Sequence, residues 1–302
     1  MHLSFPRPRQ TVLVSFSAAS LLLLAACGGN STSTSQHHGS GHGSDGASHP
    51  SSHEMGGMES GHHTDPGMGL MSSEDGYRLK AAKSALSVGK QTLRFQILAP
   101  DGRPQTDYVV DQTKLLHFYL VRNDLTGYQH LHPMLANGTW SIEVDPAAPG
   151  PYRMYTDFIA KDSAGKEHPL VLSTLLTAPG RYTPTPLPAA STTSSADGIT
   201  ATASGTLTSG MESKLAFQIT EGGKPVSDLQ PYLDSFAHLT ALHVGDGAYQ
   251  HVHPELTASP GQQGGPTLPF TVDLPEKGSW RLFLQVQRAG QLHLLPLTVT
   301  VV

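Results

Sequence analysis

Two halves of this chain repeat one another, and the repeat restricts the fold more than any other feature. Leu93-Arg94-Phe95-Gln96-Ile97 returns as Leu215-Ala216-Phe217-Gln218-Ile219, and Tyr128-Gln129-His130-Leu131-His132-Pro133 returns as Tyr249-Gln250-His251-Val252-His253-Pro254. Pro104, Asp107 and His117 come back as Pro225, Asp228 and His238, and Tyr152-Arg153-Met154-Tyr155 as Trp280-Arg281-Leu282-Phe283. The interval from His117 to Tyr128 equals that from His238 to Tyr249. Agreement in both residue type and spacing implies duplication. One folding unit is expected over residues 76–180 and a second over 196–302, joined by a Pro/Ser/Thr linker at 181–195 that reads as extended and solvated.

Within each copy the apolar pattern has period two. Leu93, Phe95 and Ile97 alternate with polar neighbours, as do Leu215, Phe217 and Ile219, which is the signature of a half-buried strand. Further strand-like runs cover 115–121, 128–132, 139–144, 153–159 and 171–177. Turn signals separate them at Asp101-Gly102, Asn137-Gly138, Pro149-Gly150, Gly222-Gly223 and Lys277-Gly278. Several short strands per copy predict an all-β chain made of two tandem immunoglobulin-like antiparallel β-sandwiches. The Cys–Trp–Cys pattern of antibody domains is missing, so the expectation concerns sandwich architecture only.

The first thirty residues carry an export signal. His2, Arg7 and Arg9 precede an apolar run from Val12 to Ala26. At about 15 residues that run falls short of the roughly 20 needed to span a bilayer. It ends in Leu24-Ala25-Ala26-Cys27, which resembles the lipobox of bacterial lipoproteins, so residues 1–26 read as a signal peptide and Cys27 as the lipidated N-terminus. Gly28 stands where an Asp would point to inner-membrane retention by resemblance to that sorting rule. Cys27 is the one cysteine, so no disulfide forms within the exported part. The expected location is the cell envelope, lipid-anchored on the extracytoplasmic side of a membrane. A formal net charge of −5 with few charged residues offers no basic face for nucleic acid.

Residues 27–75 form a Gly/Ser/His/Met-rich stretch with almost no aliphatic side chains, which cannot offset the entropy of ordering and reads as a disordered tether. It holds His37, His38, His42, His49, His53, His62 and His63 with Met55, Met58, Met68 and Met71. Imidazole suits copper and zinc, and thioether sulfur selects soft Cu(I). The stretch resembles the Met/His-rich segments of periplasmic copper-resistance proteins. The alternative is a polar spacer.

Each sandwich adds a His-X-His strand. Residues i and i+2 of a strand share a face, so His130 and His132 can converge on one ion, as can His251 and His253. His117 and His238 lie on the preceding strand and reach the same face if the two strands pair as a hairpin. Asp157 in the first copy and Gln285 in the second are the candidate fourth ligands. Three imidazoles plus a carboxylate would suit Cu(II) or Zn(II), so the first site is expected to hold a divalent ion more tightly than the second. The opposing reading makes these histidines packing elements, with Tyr128 and Tyr249 lying over them.

His117, Asp124-Leu125, Tyr128–Pro133, Gly150–Arg153 and Asp157-Phe158 together resemble the His-Pro-rich exported bacterial domains grouped near YtkA-like proteins, and Asp228–Leu233, His238 and His251–Glu255 resemble the second module of such proteins. The resemblance covers about 77–302. It implies an immunoglobulin-like fold and an association with copper or other heavy-metal handling, without implying a reaction. Met134 departs from the pattern where Glu255 keeps it. The chain lacks a Gly-X-Ser-X-Gly elbow and a phosphate loop, and Cys27 is assigned to the lipid, so no enzyme is expected. The expected function is a membrane-anchored extracytoplasmic metal-binding lipoprotein for copper buffering, delivery or resistance, with zinc as the second metal. Its partners would be metal ions, the membrane through its lipid, and an extracytoplasmic metal-transport or metal-receiving protein. The alternative is a structural or partner-binding surface module.

The lipobox reading makes a direct prediction. Cys27→Ser is expected to release the protein from the membrane fraction or to leave an uncleaved precursor; a processed variant that still resists a high-salt wash would refute the anchor.

Overall fold

The computed structural model describes residues 69–252 and 254–302; at His251 only the backbone is considered. Every regular element among the described residues is a β-strand. The first copy contributes β1 (Ser73–Glu74), β2 (Tyr77–Ala81), β3 (Gln91–Leu98), β4 (Tyr108–Val109), β5 (His117–Arg122), β6 (Gln129–Leu131), β7 (Met134–Ala136), β8 (Thr139–Val144), β9 (Gly150–Lys161) and β10 (Glu167–Ala178). These form two antiparallel sheets, one ordered β1-β2-β3-β8-β7 and the other β10-β9-β5-β6 with β4 added on β9. The second copy contributes β11 (Thr193–Ala196), β12 (Ile199–Ser204), β13 (Glu212–Glu221), β14 (Lys224–Pro225), β15 (His238–His243), β16 (Tyr249–Val252), β17 (Thr267–Asp273), β18 (Gly278–Arg288) and β19 (Gln291–Val301). Here β11, β12 and β13 run side by side with β14 and β17 both on β13, and the facing sheet is β16-β15-β18-β19. The chain is two tandem immunoglobulin-like β-sandwiches.

Alternation along the strands builds each core. Leu93, Phe95 and Ile97 of β3 point inward to meet Phe118 and Leu120 of β5, Trp140 of β8 and Met154 of β9. Leu215, Phe217 and Ile219 of β13 do the same with Leu239 of β15, Phe270 of β17 and Leu282 of β18. Polar residues on the opposite face of β3 and β13 take the solvent side, as period two requires.

In the other sheet of each sandwich the central strand, β5 or β15, is buried on both faces. All six residues of β5 are buried, including His117. Its outward side chains Tyr119 and Val121 join Tyr128, Tyr155 and Val171 in a third core with Leu242, Tyr249 and Phe283 of the second copy. Tyr128 stacks on Phe283 with ring centres 4.0 Å apart and planes 6° from parallel. In the equivalent contact, Tyr249 stacks on Tyr155 at 5.3 Å. Tyr128 corresponds to Tyr249 and Tyr155 to Phe283, so each copy lends the other the same ring. Hydrogen bonds cross here too, from Tyr128 to Thr240 Oγ1 at 2.9 Å and from Tyr155 to the Gly247 carbonyl at 2.6 Å.

Order begins earlier than the composition predicts. The expected tether to residue 75 is corrected at its end, because β1 pairs with β2 and places Glu74 opposite Tyr77. Asp75 and Gly76 both hold positive φ, at 50° and 81°, the two-residue Asp-Gly turn that matches strand twist. Upstream, Arg153 donates to the Leu70 carbonyl and Ser173 N donates to that of Met71. Gly69 lies against Val171 and Tyr249, where a Cβ would fall about 3 Å from both side chains. The segment 181–192 ahead of β11 is extended and largely exposed, yet fastened. Thr185 N donates to Asp124 Oδ2, and the buried Arg122 bonds both Asp124 and Thr185. Burial raises the Asp124 pKa, but bonds from Arg122, Thr185 and Thr126 outweigh it and hold the carboxyl at about 2.

The shared aromatic core makes a prediction about stability. Tyr128→Ala removes a buried ring and is expected to cost about 3–5 kcal/mol, whereas Tyr128→Phe loses only the bond to Thr240 and about 1 kcal/mol. Urea denaturation followed by tryptophan fluorescence checks both, and equal, negligible losses would show that the sandwiches do not share stability across this face.

Candidate metal centre

The hairpin that sequence spacing left conditional is present. β5 and β6 pair antiparallel with Tyr119 opposite His130, which places His117 and both histidines of His130-Leu131-His132 on the outward face. Leu131 turns the other way, toward the first core. His117, His130 and His132 each bring a ring nitrogen within 4.8 Å of the other two. Their ring centres are 4.9–5.4 Å apart. The second sandwich covers them, and His117 is 1% exposed.

The acceptors around the rings favour one placement of their protons. A side-chain amide oxygen and a backbone carbonyl only accept. His130 Nδ1 lies 2.7 Å from Gln285 Oε1 and therefore donates to it, which leaves the lone pair on Nε2. His117 Nε2 lies 3.2 Å from the Asp111 carbonyl and donates there, which leaves its lone pair on Nδ1. Those two lone-pair nitrogens, His117 Nδ1 and His130 Nε2, face each other at 3.1 Å. With the protons so placed, two acceptors at that distance repel unless a cation lies between them. His132 Nε2 is also buried and has no hydrogen-bond partner.

A proton is a poor candidate for that cation. Burial first, then the neighbouring His117, His238 and His132, drive the His130 pKa well below the usual histidine range. Burial, His117 and Lys114 bring His132 down to about 3. A metal ion is the other candidate. With metal–nitrogen bonds of about 2.0–2.1 Å, a tetrahedral or trigonal site separates its ligand nitrogens by roughly 3.3–3.6 Å, against 3.1 Å between His117 and His130 and a limit of 4.8 Å across the trio.

The remaining expected ligands are arranged differently from the two matched sites read in the sequence. Asp157 is on β9, directly opposite His117 on β5, and so one strand further from β6 than a ligand beside His-X-His would be. Its Oδ2 accepts from Tyr249 at 3.0 Å, and it does not belong to the close cluster. Gln285 is opposite His238 in register, but its amide oxygen serves His130 of the other copy. His238 likewise faces the first copy, its ring centre 5.7 Å from that of His130 and 6.3 Å from that of His117. The two copies thus contribute to one centre across their interface. The backbone of His251 pairs with Thr240, while its side chain and all of His253 lie outside the described residues. So do Cys27, His37, His38, His42, His49, His53, Met55, Met58, His62, His63 and Met68. Met71 is described and its side chain is 64% exposed.

Two residues of the centre escaped the sequence reading. Tyr119 stacks on His130 at 4.4 Å with planes 18° apart, and the Asp111 carbonyl orients His117. The run Leu116–Val121, apolar on both faces apart from His117, was the available signal that β5 is covered on each side. Glu255, which keeps the family-like pattern where Met134 does not, is bonded to Lys214 and Thr271 on the surface. A second cluster, His243 with Asp246 and Glu276, is an ion-pair set at the surface.

No curated protein matches the sequence. Among solved structures the chain is similar to InvD of Yersinia pseudotuberculosis, at 12% identity and a TM-score of 0.23; 76% of this chain and 58% of that one are covered, so it spans little more than half of InvD's structure. It is also similar to the D0–D1 domain of intimin, at 9% identity and a TM-score of 0.21 over 74% of this chain and 96% of that one. The D00–D0 domain of intimin gives 10% identity and a TM-score of 0.23, with 75% and 99% covered. One family model matches each copy in turn, over residues 72–170 and 193–302. The chain belongs to the family described as Domain of unknown function (DUF8832).

Proposed function

We propose that this is an extracytoplasmic, lipid-anchored protein that binds copper as cargo, with His117, His130 and His132 as the ligands of its folded part. The observation that carries the reading is the pair of opposed nitrogens at 3.1 Å beside the buried Nε2 of His132. The lipobox at Cys27 and the Met/His-rich tether support the export and copper parts of the proposal.

The chemistry of the donor set favours Cu(I) over the divalent ion read from sequence. The cluster is three imidazoles with no carboxylate among them, and burial first of all lowers the pKa of His130 and of His132. Desolvation cost scales with the square of the charge, so a dication pays roughly four times what a monocation of equal size does. Zn(II) and Cu(II) rank behind Cu(I) for that reason. Buffering, delivery to a receiving protein and resistance all remain compatible with such a site. A second reading, a structural module whose histidines pack the interface, draws support from the stacking of His130 on Tyr119 and its bond to Gln285.

An anaerobic Cu(I) titration of the full chain against a chromophoric chelator separates the two. Replacing His130 and His132 together with Ala is expected to remove one tight equivalent, and deleting residues 30–68 to remove further, separable equivalents. Unchanged stoichiometry in the double variant, with its circular dichroism intact, would leave the structural reading standing. The pH dependence has a definite sign. Exposed imidazoles with pKa near 6.5 lose copper to protons by about pH 5. His132, lowered to about 3, and His130, also lowered, meet proton competition only at more acid pH. The equivalent lost in the double variant is therefore the one expected to survive at pH 5.

A further inference from the structure

We infer that Gln285, supplied by the second sandwich, is the positioning residue that makes the first sandwich's histidine cluster a competent metal site. This rests on the metal-binding reading above and adds that the site is incomplete without the second copy.

A histidine binds metal through whichever ring nitrogen lacks the proton, and the partner of the other nitrogen decides which one that is. For His117 that partner is local, the Asp111 carbonyl on the approach to β5. For His130 it is Gln285 Oε1 at 2.7 Å, on β18 of the other sandwich. Both groups are buried, Gln285 at 5% and His130 at 7% exposure. Without an acceptor at Nδ1, His130 can place its proton on Nε2, the nitrogen that faces His117, and there it would donate to His117 Nδ1 and satisfy both rings internally. Gln285 blocks that closed arrangement. It keeps Nε2 of His130 free of a proton and directed at the other two ligands.

The position of Gln285 is held by packing on both sides. Phe283, two residues earlier on the same face, stacks on Tyr128, and Leu284 between them points into the second core. Gln285 is also paired in register with His238. Docking of the two sandwiches and readiness of the ligand set are consequently a single event: displacement of β18 from β5 and β6 removes the acceptor from His130.

The test uses the full chain with Ag(I) as a redox-stable soft monovalent probe, and reads the imidazole proton–nitrogen NMR signals of His117, His130 and His132, assigned with single His→Ala variants. These signals report this cluster and not the tether. In the parent chain His130 is expected as the Nδ1–H tautomer, and Ag(I) is expected to shift all three sets. Gln285→Asn shortens the side chain and should move the His130 proton to Nε2 and weaken Ag(I) binding at the cluster by roughly 10- to 100-fold against a competing chelator. Gln285→Glu keeps an acceptor at the same reach and is expected to restore both the tautomer and the affinity to within a few-fold. Gln285→Leu serves as a third variant if the Asn form is poorly folded. Parent-like tautomer and affinity in Gln285→Asn and Gln285→Leu would overturn the inference while leaving the metal site in place. Failure of Ag(I) to shift the three histidines in the parent chain, with Cu(I) equally without effect, would overturn the metal site and the inference with it.

Discussion

Everything distinctive in this structure depends on two aromatic stacks exchanged between the copies. Tyr128 lies on Phe283 and Tyr249 on Tyr155, the same contact made in both directions. A sandwich needs only one buried face per sheet, and here β5 and β15 are buried on both. Four large rings cover the outer sheet faces and exclude water from whatever polar groups lie between them. The histidines are such groups. Burial is the first cause of the depressed pKa values of His130 and His132, and the neighbouring copy adds His238 beside His130.

The exchange is symmetric in its rings and asymmetric in its polar groups. Tyr119 in the first copy corresponds in register to Thr240 in the second, each lying opposite the stacking ring of its own sheet. Thr240 is small, so the hydroxyl of Tyr128 reaches its Oγ1. Tyr119 is large and fills the equivalent space, its ring 5.1 Å from that of Tyr249, and the Tyr249 hydroxyl goes to Asp157 instead. That bond engages the carboxylate which, from sequence, looked like the natural fourth ligand. The neutral Gln285 meets His130 on the other side. Differences at single positions thus turn a duplicated surface into one centre with a defined polarity.

The fold was legible in the sequence because it is a local property. Period-two alternation at Leu93–Ile97 and Leu215–Ile219 states which face is buried, and Gly-containing turns mark the strand ends. The convergence of His117, His130 and His132 was legible for the same reason, since a hairpin brings neighbouring strands into predictable register. The partners of Gln285 and His238 were not. They depend on how two finished domains dock, and no spacing within a repeat encodes that. The one trace is the loss of alternation in Leu116–Val121, where apolar residues occupy the outward positions as well. The ordered end of the tether was missed because composition outweighed the Asp75-Gly76 turn signal, although two residues on each side suffice for a short hairpin.

Packing alone gives no reason to retain polar rings at this place. A buried imidazole left with an unmet nitrogen costs about 1–3 kcal/mol, and an apolar side chain of similar shape avoids that cost. The cluster carries the cost more than once, with His132 Nε2 lacking a hydrogen bond and two lone pairs opposed across 3.1 Å. Elsewhere in the interface Tyr128, Tyr155 and Tyr249 each have a hydrogen-bond acceptor. Under the proposed function, a cation held by the converging imidazoles would relieve the unmet His132 Nε2 and the close approach of His117 to His130 together. Under that reading a soft monovalent ion would do so at the smallest desolvation cost, and the burial that makes His130 and His132 poor bases would also keep such an ion from water.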